Sequence, residues 1–232
     1  MPKRVRKTII LRPPVSLQEY YNKGLESLQT AARQDDLENN WIRLRMICSG
    51  FVSYTGEDSK KIEIELPDNP KLEALEAFVD SVPLDMKGII VHEFVYSGLL
   101  IEKQLKEMGI EFLYLNGRVK KSETKKKIYL DFTKGTNTPR FLIMNWRSGG
   151  TGGNYQVAPW MHFYESPCSP IERKQTEGRV RRRNSKAKRV HYSDSIIKGS
   201  IEEDILTNLK AGRDLYKTIM QGGQGLKKLR RL

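Results

Sequence analysis

The run Gln175-Thr176-Glu177-Gly178-Arg179-Val180-Arg181-Arg182 places a glutamine, a glycine and two arginines at fixed offsets. If the run is helical as far as Arg182, Gln175, Gly178, Arg179 and Arg182 share one face. Two guanidiniums a turn apart reach the oxygens of one phosphate with planar, paired donors, which lysine does not reproduce. Gly178 leaves out a side chain where a close approach would be wanted. The run continues to Arg189, with seven Lys or Arg residues from Arg179 onward and no acid among them. Its later part, including Lys186 and Lys188, reads either as a solvated charge run or as a contact to a phosphate backbone without sequence preference.

A second candidate precedes it. Ser148-Gly149-Gly150-Thr151-Gly152-Gly153-Asn154 directly follows an apolar run. Glycines allow tight turns, and their exposed N–H groups form an anion-seeking nest. The loop lacks the G-x-G-x-x-G spacing of a dinucleotide site, and G-x-x-x-x-G-K-[ST] occurs nowhere in the chain. The chain therefore has no P-loop lysine for the β- and γ-phosphates of ATP. Glu93 and Glu165 each follow a strand; either could be a general base in isolation, but a loop hydrogen bond or a contact to a neighbouring lobe is expected of them. Cys168, between two prolines, reads as packing, and no Ser/His/Asp or Cys/His set is suggested.

The elements that must position these residues follow from apolar spacing. Lys7 to Leu11 predicts a short strand. Helices are predicted from Ser16 (Leu17, Tyr21, Leu25 and Leu28 inward), around Trp41 to Cys48, and from Pro70 (Leu72, Leu75, Phe78 and Val79 inward). Ser53 to Lys61 reads as polar and turn-like. From Gly88 the pattern changes: Gly88–Phe94, Glu111–Leu115, Arg140–Met144, Met161–Tyr164 and Val190–Tyr192 predict strands separated by helices. That alternation predicts an α/β, doubly wound, mainly parallel sheet with helices on both faces. One helix is expected over Ser200–Met220, then glycines and a basic tail. The expected organisation is a mostly helical lead-in packed on the lobe (1–84), the sheet lobe (85–221) and a flexible basic tail (222–232).

A chain of 232 residues with net charge +13 and a pI near 9.7 points to a nucleic-acid or other polyanion partner. No apolar run approaches the length of a membrane span, so no membrane partner is expected. Two distant cysteines predict a reducing, intracellular setting without a structural metal. His92, His162 and His191 lie in or beside apolar runs and read as core or strand-end residues.

Gly149-Gly150-x-Gly152-x-Asn154 followed by Ala158, then Gln175-x-x-Gly178-Arg179-x-x-Arg182, resembles motifs V and VI of superfamily 2 helicases. The likeness is to their second, C-terminal RecA-like lobe, in the Swi/Snf-like branch of double-stranded DNA translocases. Ile89–Phe94 looks like motif IV, and Leu115-Asn116-Gly117 is similar to the L-x-G turn after the next strand. Leu44-Arg45-x-Ile47-Cys48, Pro70-Lys71-Leu72 and Ser200-Ile201-Glu202-Glu203 resemble flanking stretches of that branch. Three positions depart from it. Glu165-Ser166-Pro167-Cys168-Ser169-Pro170 stands for D-x-x-W-N-P, Tyr155 follows the motif V Asn where Leu is usual, and Gly178 stands where Asp is common.

The resemblance implies a RecA-like lobe that joins an N-terminal P-loop lobe, in cis or as a separate chain, around ATP and Mg2+ held mainly by that other lobe. It implies a catalytic role for Arg179, Arg182 and Gln175, and nucleotide contacts from Gly150, Gly152, Asn154 and Gly178. Contacts to DNA, expected to be double-stranded, are implied for Ser148, Gly149, Thr151, Asn116, Gly117, Lys186 and Lys188. Such a chain is cytoplasmic, in a bacterial or phage-infected cell, or nuclear, and does not hydrolyse ATP alone. The other open reading is a stand-alone nucleic-acid-binding module that kept the fold and lost the motor.

Overall fold

In the computed structural model the described residues are 1–117, 121–134, 138–147, 153–221 and 229–232. The expectations for Ser148, Gly149, Gly150, Thr151 and Gly152, and for 222–228, lie outside them.

The continuous apolar runs become buried strands. β4 (Gly88–His92) and β6 (Phe141–Asn145) are buried along their whole length. With β1 (Lys3–Leu11), β5 (Phe112–Leu115), β7 (Trp160–Phe163) and β8 (Arg189–Ile197) they form a six-stranded sheet in the order β1-β8-β7-β4-β6-β5. The β4–β6, β4–β7, β5–β6 and β7–β8 pairs are all parallel. Successive strand residues feed opposite faces, as the pleat requires. Ile89, Val91, Leu142 and Met144 pack in one cluster with Phe132, Tyr155 and Val180. Ile90, Phe141 and Ile143 pack on the other face with Leu75, Phe78, Ile101 and Leu105. Helices α3 (Pro70–Ser81) and α4 (Val95–Glu107) supply this second face, and α5 (Ser122–Lys134) supplies Phe132 to the first. The sheet is thus doubly wound, as the alternation predicted.

Residue contacts divide the chain into two compact units. One comprises Met1–Ile9, Leu72–Pro167 and Ile171–Ser195, and the other Ile10–Lys71, Cys168–Pro170 and Ile196–Leu232. Neither is a single stretch. The first residues enter the sheet as β1, and the last helices share a core with the early ones.

That second core collects Leu17, Tyr21, Leu25 and Leu28 of α1 (Val15–Gln29) with Trp41, Leu44 and Ile47 of α2 (Gln34–Cys48). Ile201 and Ile205 of α7 (Ile201–Lys210) and Leu215 and Ile219 of α8 (Leu215–Met220) complete it. The expected single helix from Ser200 to Met220 is thus two. Gly212, at φ 72°, takes the left-handed conformation that breaks it, and Asp214 caps the next turn through the Lys217 N–H at 3.1 Å. Ser53 to Lys61 holds the turn of a hairpin whose strands, β2 (Phe51–Thr55) and β3 (Lys61–Glu65), extend into and beyond that segment.

The three flanking stretches quoted above meet inside this unit. The Lys71 ammonium, fully buried, pairs with a carboxylate oxygen of Glu202. The other Glu202 oxygen accepts the Ile197 N–H at 2.9 Å. Burial raises the Glu202 pKa, against the pull of Lys71 and of buried Arg45. Burial likewise pushes the Cys48 thiol up, with the Glu202 charge adding to it. Cys48 is an inert core thiol, and neither Cys48 nor Cys168 is in a disulfide.

Candidate functional site

Helix α6 (Pro170–Gly178) carries the first half of the arginine motif and then stops. The expected helix through Arg182 is therefore corrected. Gln175 and Gly178 are helical, Arg179 sits in the closing turn, and Arg182 lies in the loop beyond. The turn is hydrogen-bonded, Arg179 N–H to the Thr176 carbonyl at 3.2 Å and Val180 N–H to the Glu177 carbonyl at 3.3 Å. Val180 is fully buried on the sheet, which drives the chain inward and ends the helix.

The two arginines differ as a result. Arg179 is buried, with 8% exposure, whereas Arg182 is exposed. The Arg179 Nη1 donates to the Met144 sulfur at 3.4 Å, and among the described residues no carboxylate pairs with it. Burial lowers its pKa, and the Arg182 charge lowers it further. A guanidinium kept out of water without a counter-charge is costly, so the site favours an anion. Gln175 is exposed. A Cβ built on Gly178 meets nothing within 4 Å, so the chain itself does not require glycine there. Gly178→Ala is expected to leave the thermal midpoint unchanged, within about 0.5 kcal/mol of stability. A loss of nucleotide-dependent activity in that folded variant, read beside its melting curve, would mark the space as one an external group enters.

Of the glycine-loop residues, Gly153 and Asn154 are described. A Cβ at Gly153 would fall 2.6 Å from the Tyr155 ring, so glycine lets the chain fold over its own aromatic. Tyr155, standing where the resemblance expects leucine, is buried and edge-on to Tyr129 at 5.5 Å and Phe132 at 6.2 Å. Its backbone N–H donates to the Arg179 carbonyl at 2.9 Å. The segment after the glycine loop is thus tied directly to the arginine turn. The Asn154 Oδ1 accepts the Gln156 N–H at 3.3 Å, and the Asn154 carbonyl accepts the Tyr129 hydroxyl at 3.3 Å.

Glu165 makes the loop hydrogen bonds expected of it. It is buried and accepts the Glu93 N–H at 2.6 Å and the Ser97 hydroxyl. Glu93 in turn pairs with Arg147 at 3.2 Å. His162 lies buried between the Ser193 and Ser195 hydroxyls, at 2.8 and 3.2 Å, and His191 stacks on Trp160 at 4.1 Å. His92 is buried in β4. All three are core or strand-end residues. Asn116 and Gly117 follow β5, Gly117 exposed, and Lys186 and Lys188 are exposed in the loop before β8.

Sequence reasoning missed the residues that hold α6 in place. Arg173 is buried, with its guanidinium 3.4 Å over the Phe163 ring. Its Nε bonds Glu177 at 2.8 Å, and its Nη atoms bond both oxygens of Asp194 on β8, one of them at 2.9 Å. Arg6 on β1 grips Glu177 from outside through two bonds of 2.8 and 2.7 Å. Burial pushes the Glu177 carboxyl up, but the bonds from Arg6 and the charge of Arg173 outweigh it and leave its pKa lowered. A depressed folded pKa contributes stability above the unfolded value, about 4.3. That contribution is lost as pH falls through the folded value. The thermal midpoint gap between the wild-type chain and Glu177→Gln is therefore expected to be full at pH 6 and to shrink below about pH 4. An i,i+4 Arg173–Glu177 pair was visible in the sequence; Arg6 and Asp194 were not.

Residues 70–184 match the family described as the helicase conserved C-terminal domain. With the parallel sheet and the arginine turn that it carries, this stretch is a RecA-like, C-terminal helicase domain. The relatives it matches are Swi2/Snf2-type ATPases. The chromatin-remodeling ATPase INO80 of Homo sapiens is 26% identical over 174 residues, 75% of this chain and 11% of that protein. DNA repair protein RAD5 of Cryptococcus neoformans is 24% identical over 164 residues, 69% of this chain and 14% of that protein. The chain spans about one-seventh or less of the length of these relatives. Among solved structures, the C-terminal part of the Fun30 ATPase domain superposes with a TM-score of 0.71 at 14% identity, covering 92% of this chain and 90% of that one. The Sulfolobus solfataricus SWI2/SNF2 ATPase core in complex with dsDNA gives 0.72 at 19% identity, covering 100% and 51%.

Proposed function

We propose that the chain works as the C-terminal motor lobe of an ATP-dependent DNA translocase. ATP lies in the cleft between this lobe and a P-loop lobe, present in the same polypeptide or as a separate chain. Arg179 and Arg182 stabilise charge on the transferring phosphoryl group, and Gln175 orients or senses the γ-phosphate. The single observation that carries this reading is Arg179, a buried guanidinium with no carboxylate among the described residues, just after a glycine whose missing side chain leaves open space.

The remaining assignments follow from that placement. Gly150, Gly152, Asn154 and Gly178 approach the nucleotide by backbone. Ser148, Gly149, Thr151, Asn116, Gly117, Lys186 and Lys188 follow the DNA, bound mostly through its phosphates and so steeply sensitive to salt. The backbone bond from Tyr155 to Arg179 gives the DNA-facing loop a direct mechanical link to the arginine turn. Among the described residues no group of three or more His, Cys, Asp or Glu could hold a metal. The magnesium ion is assigned to the P-loop lobe, where it would neutralise phosphate charge. Among the described residues no helix is long and apolar enough to cross a membrane.

The reading is tested by complementation. Mixing the chain with a cognate P-loop lobe and duplex DNA should restore phosphate release. Salt-sensitive DNA binding without complementation by that lobe would instead make the chain a binding module.

A further inference from the structure

Strand β1 is an edge strand, beside β8. Its residues alternate between two sides. Val5, Lys7 and Ile9 line a cleft of about 280 Å³ with Phe78 and Trp160. Arg4 and Arg6 therefore stand on the side of α6. Arg6 is committed: its guanidinium lies 5.2 Å from the Tyr192 ring centre and clamps Glu177. The Tyr192 hydroxyl donates to the Glu177 carbonyl at 3.1 Å. Burial pushes that phenol up to about 12, with the Glu177 charge adding to it, while Arg4, Arg6 and Arg181 all pull it down. Arg6 thus lies over this tyrosine, and the charges of Arg4 and Arg181 also act on it.

The local acids are used up. Glu177 lies between Arg6 and Arg173, and Asp194 is taken by Arg173. Arg181 bonds the Pro2 carbonyl through Nε at 2.8 Å, which leaves its terminal nitrogens for another acceptor. Among the described residues neither Arg4 nor Arg181 has a carboxylate partner. The Lys3 N–H bonds the Lys188 carbonyl at 2.9 Å, so the strand's basic start joins the basic loop before β8.

We propose that Arg4 and Arg181, held in place by the Arg6–Glu177 clamp, form a binding site for the phosphate backbone of duplex DNA on the β1 edge, additional to the contacts proposed above. This rests on the reading of DNA as the partner. The strip offers one sign of charge and forked donors with no apolar anchor between them. A polyphosphate backbone asks for that, whereas a docked acidic peptide would want apolar pockets as well. Charged residues on an edge strand also prevent edge-to-edge pairing. The test therefore reverses charge rather than removing it, so that the edge stays protected.

Anisotropy of a labelled DNA duplex, titrated with the chain over a salt series, reads the site. Arg4→Glu with Arg181→Glu should weaken binding about 10-fold at 0.1 M salt and reduce the salt slope by about 2. Lys60→Glu with Lys61→Glu, on the β2–β3 hairpin, makes the same change in net charge and should leave the slope unchanged. An unchanged thermal midpoint shows that each variant is folded, and Arg4→Glu alone, which touches no internal hydrogen bond, should lower the slope by about 1. Equal slopes for the wild-type chain and the Arg4/Arg181 variant overturn the proposal, as does a defect confined to a polyglutamate probe. Complementation by the P-loop lobe is measured separately, so the site can fail while the motor reading stands.

Discussion

Arg179→Ala and Arg182→Ala should each reduce phosphate release by the complemented motor by about 10³-fold or more, because in the proposed function each removes a guanidinium facing the transferring phosphoryl group. The two losses should divide differently. Arg182 is exposed, and in the proposed function it bonds the nucleotide only after docking, so Arg182→Ala should lower kcat with the melting curve unchanged. Arg179 is buried against Met144 and Tyr155, so its truncation also removes packing. Arg179→Lys keeps the charge and most of the stem but loses the planar fork, and should recover stability without recovering rate. Single-turnover phosphate release, with melting measured in parallel, separates these outcomes. An Arg182→Ala motor that turns over at the wild-type rate would remove Arg182 from the chemistry.

The second large effect is on stability. Lys71→Ala should destabilise the helical unit by about 3–5 kcal/mol, because it leaves the Glu202 carboxylate buried without its partner. Glu202→Ala should cost a similar amount and also orphans the Ile197 N–H. Replacing both by apolar residues of matched volume, Lys71→Met with Glu202→Leu, should recover much of the loss, since the pair itself gains little over a packed core. Urea unfolding of the single and double variants checks this. Single losses below about 1 kcal/mol would mean that water reaches the pair.

How much of this was legible depended on whether the signal was local. β4 and β6 announced themselves as unbroken apolar runs because both faces of those strands are covered. The β2–β3 hairpin did not. Lys61-Ile62-Glu63-Ile64-Glu65 does alternate, but Ser53, Tyr54 and the exposed charges outweighed that pattern. β1 begins at Lys3 rather than Lys7 for the same reason: an edge strand carries charge, which looks like a polar lead-in. The arginine motif was readable as spacing, but the spacing implied one helical face. The helix ends at Gly178 because Val180 is drawn into the sheet, and only the fold shows that Arg179 is buried while Arg182 is exposed. The flanking stretches around Cys48, Lys71 and Glu202 were readable as three separate likenesses. That they meet at one buried ion pair is a long-range fact, as are the contacts of Arg6 and Asp194 to the arginine helix.

In the proposed function this lobe supplies arginines to an ATP that it cannot hold alone. The most direct measurement is DNA-stimulated phosphate release by the purified chain, with and without a P-loop lobe. No release above background is expected from the chain by itself, and a DNA-dependent rate is expected once the lobe is added. Sustained DNA-stimulated hydrolysis by the isolated chain would contradict it.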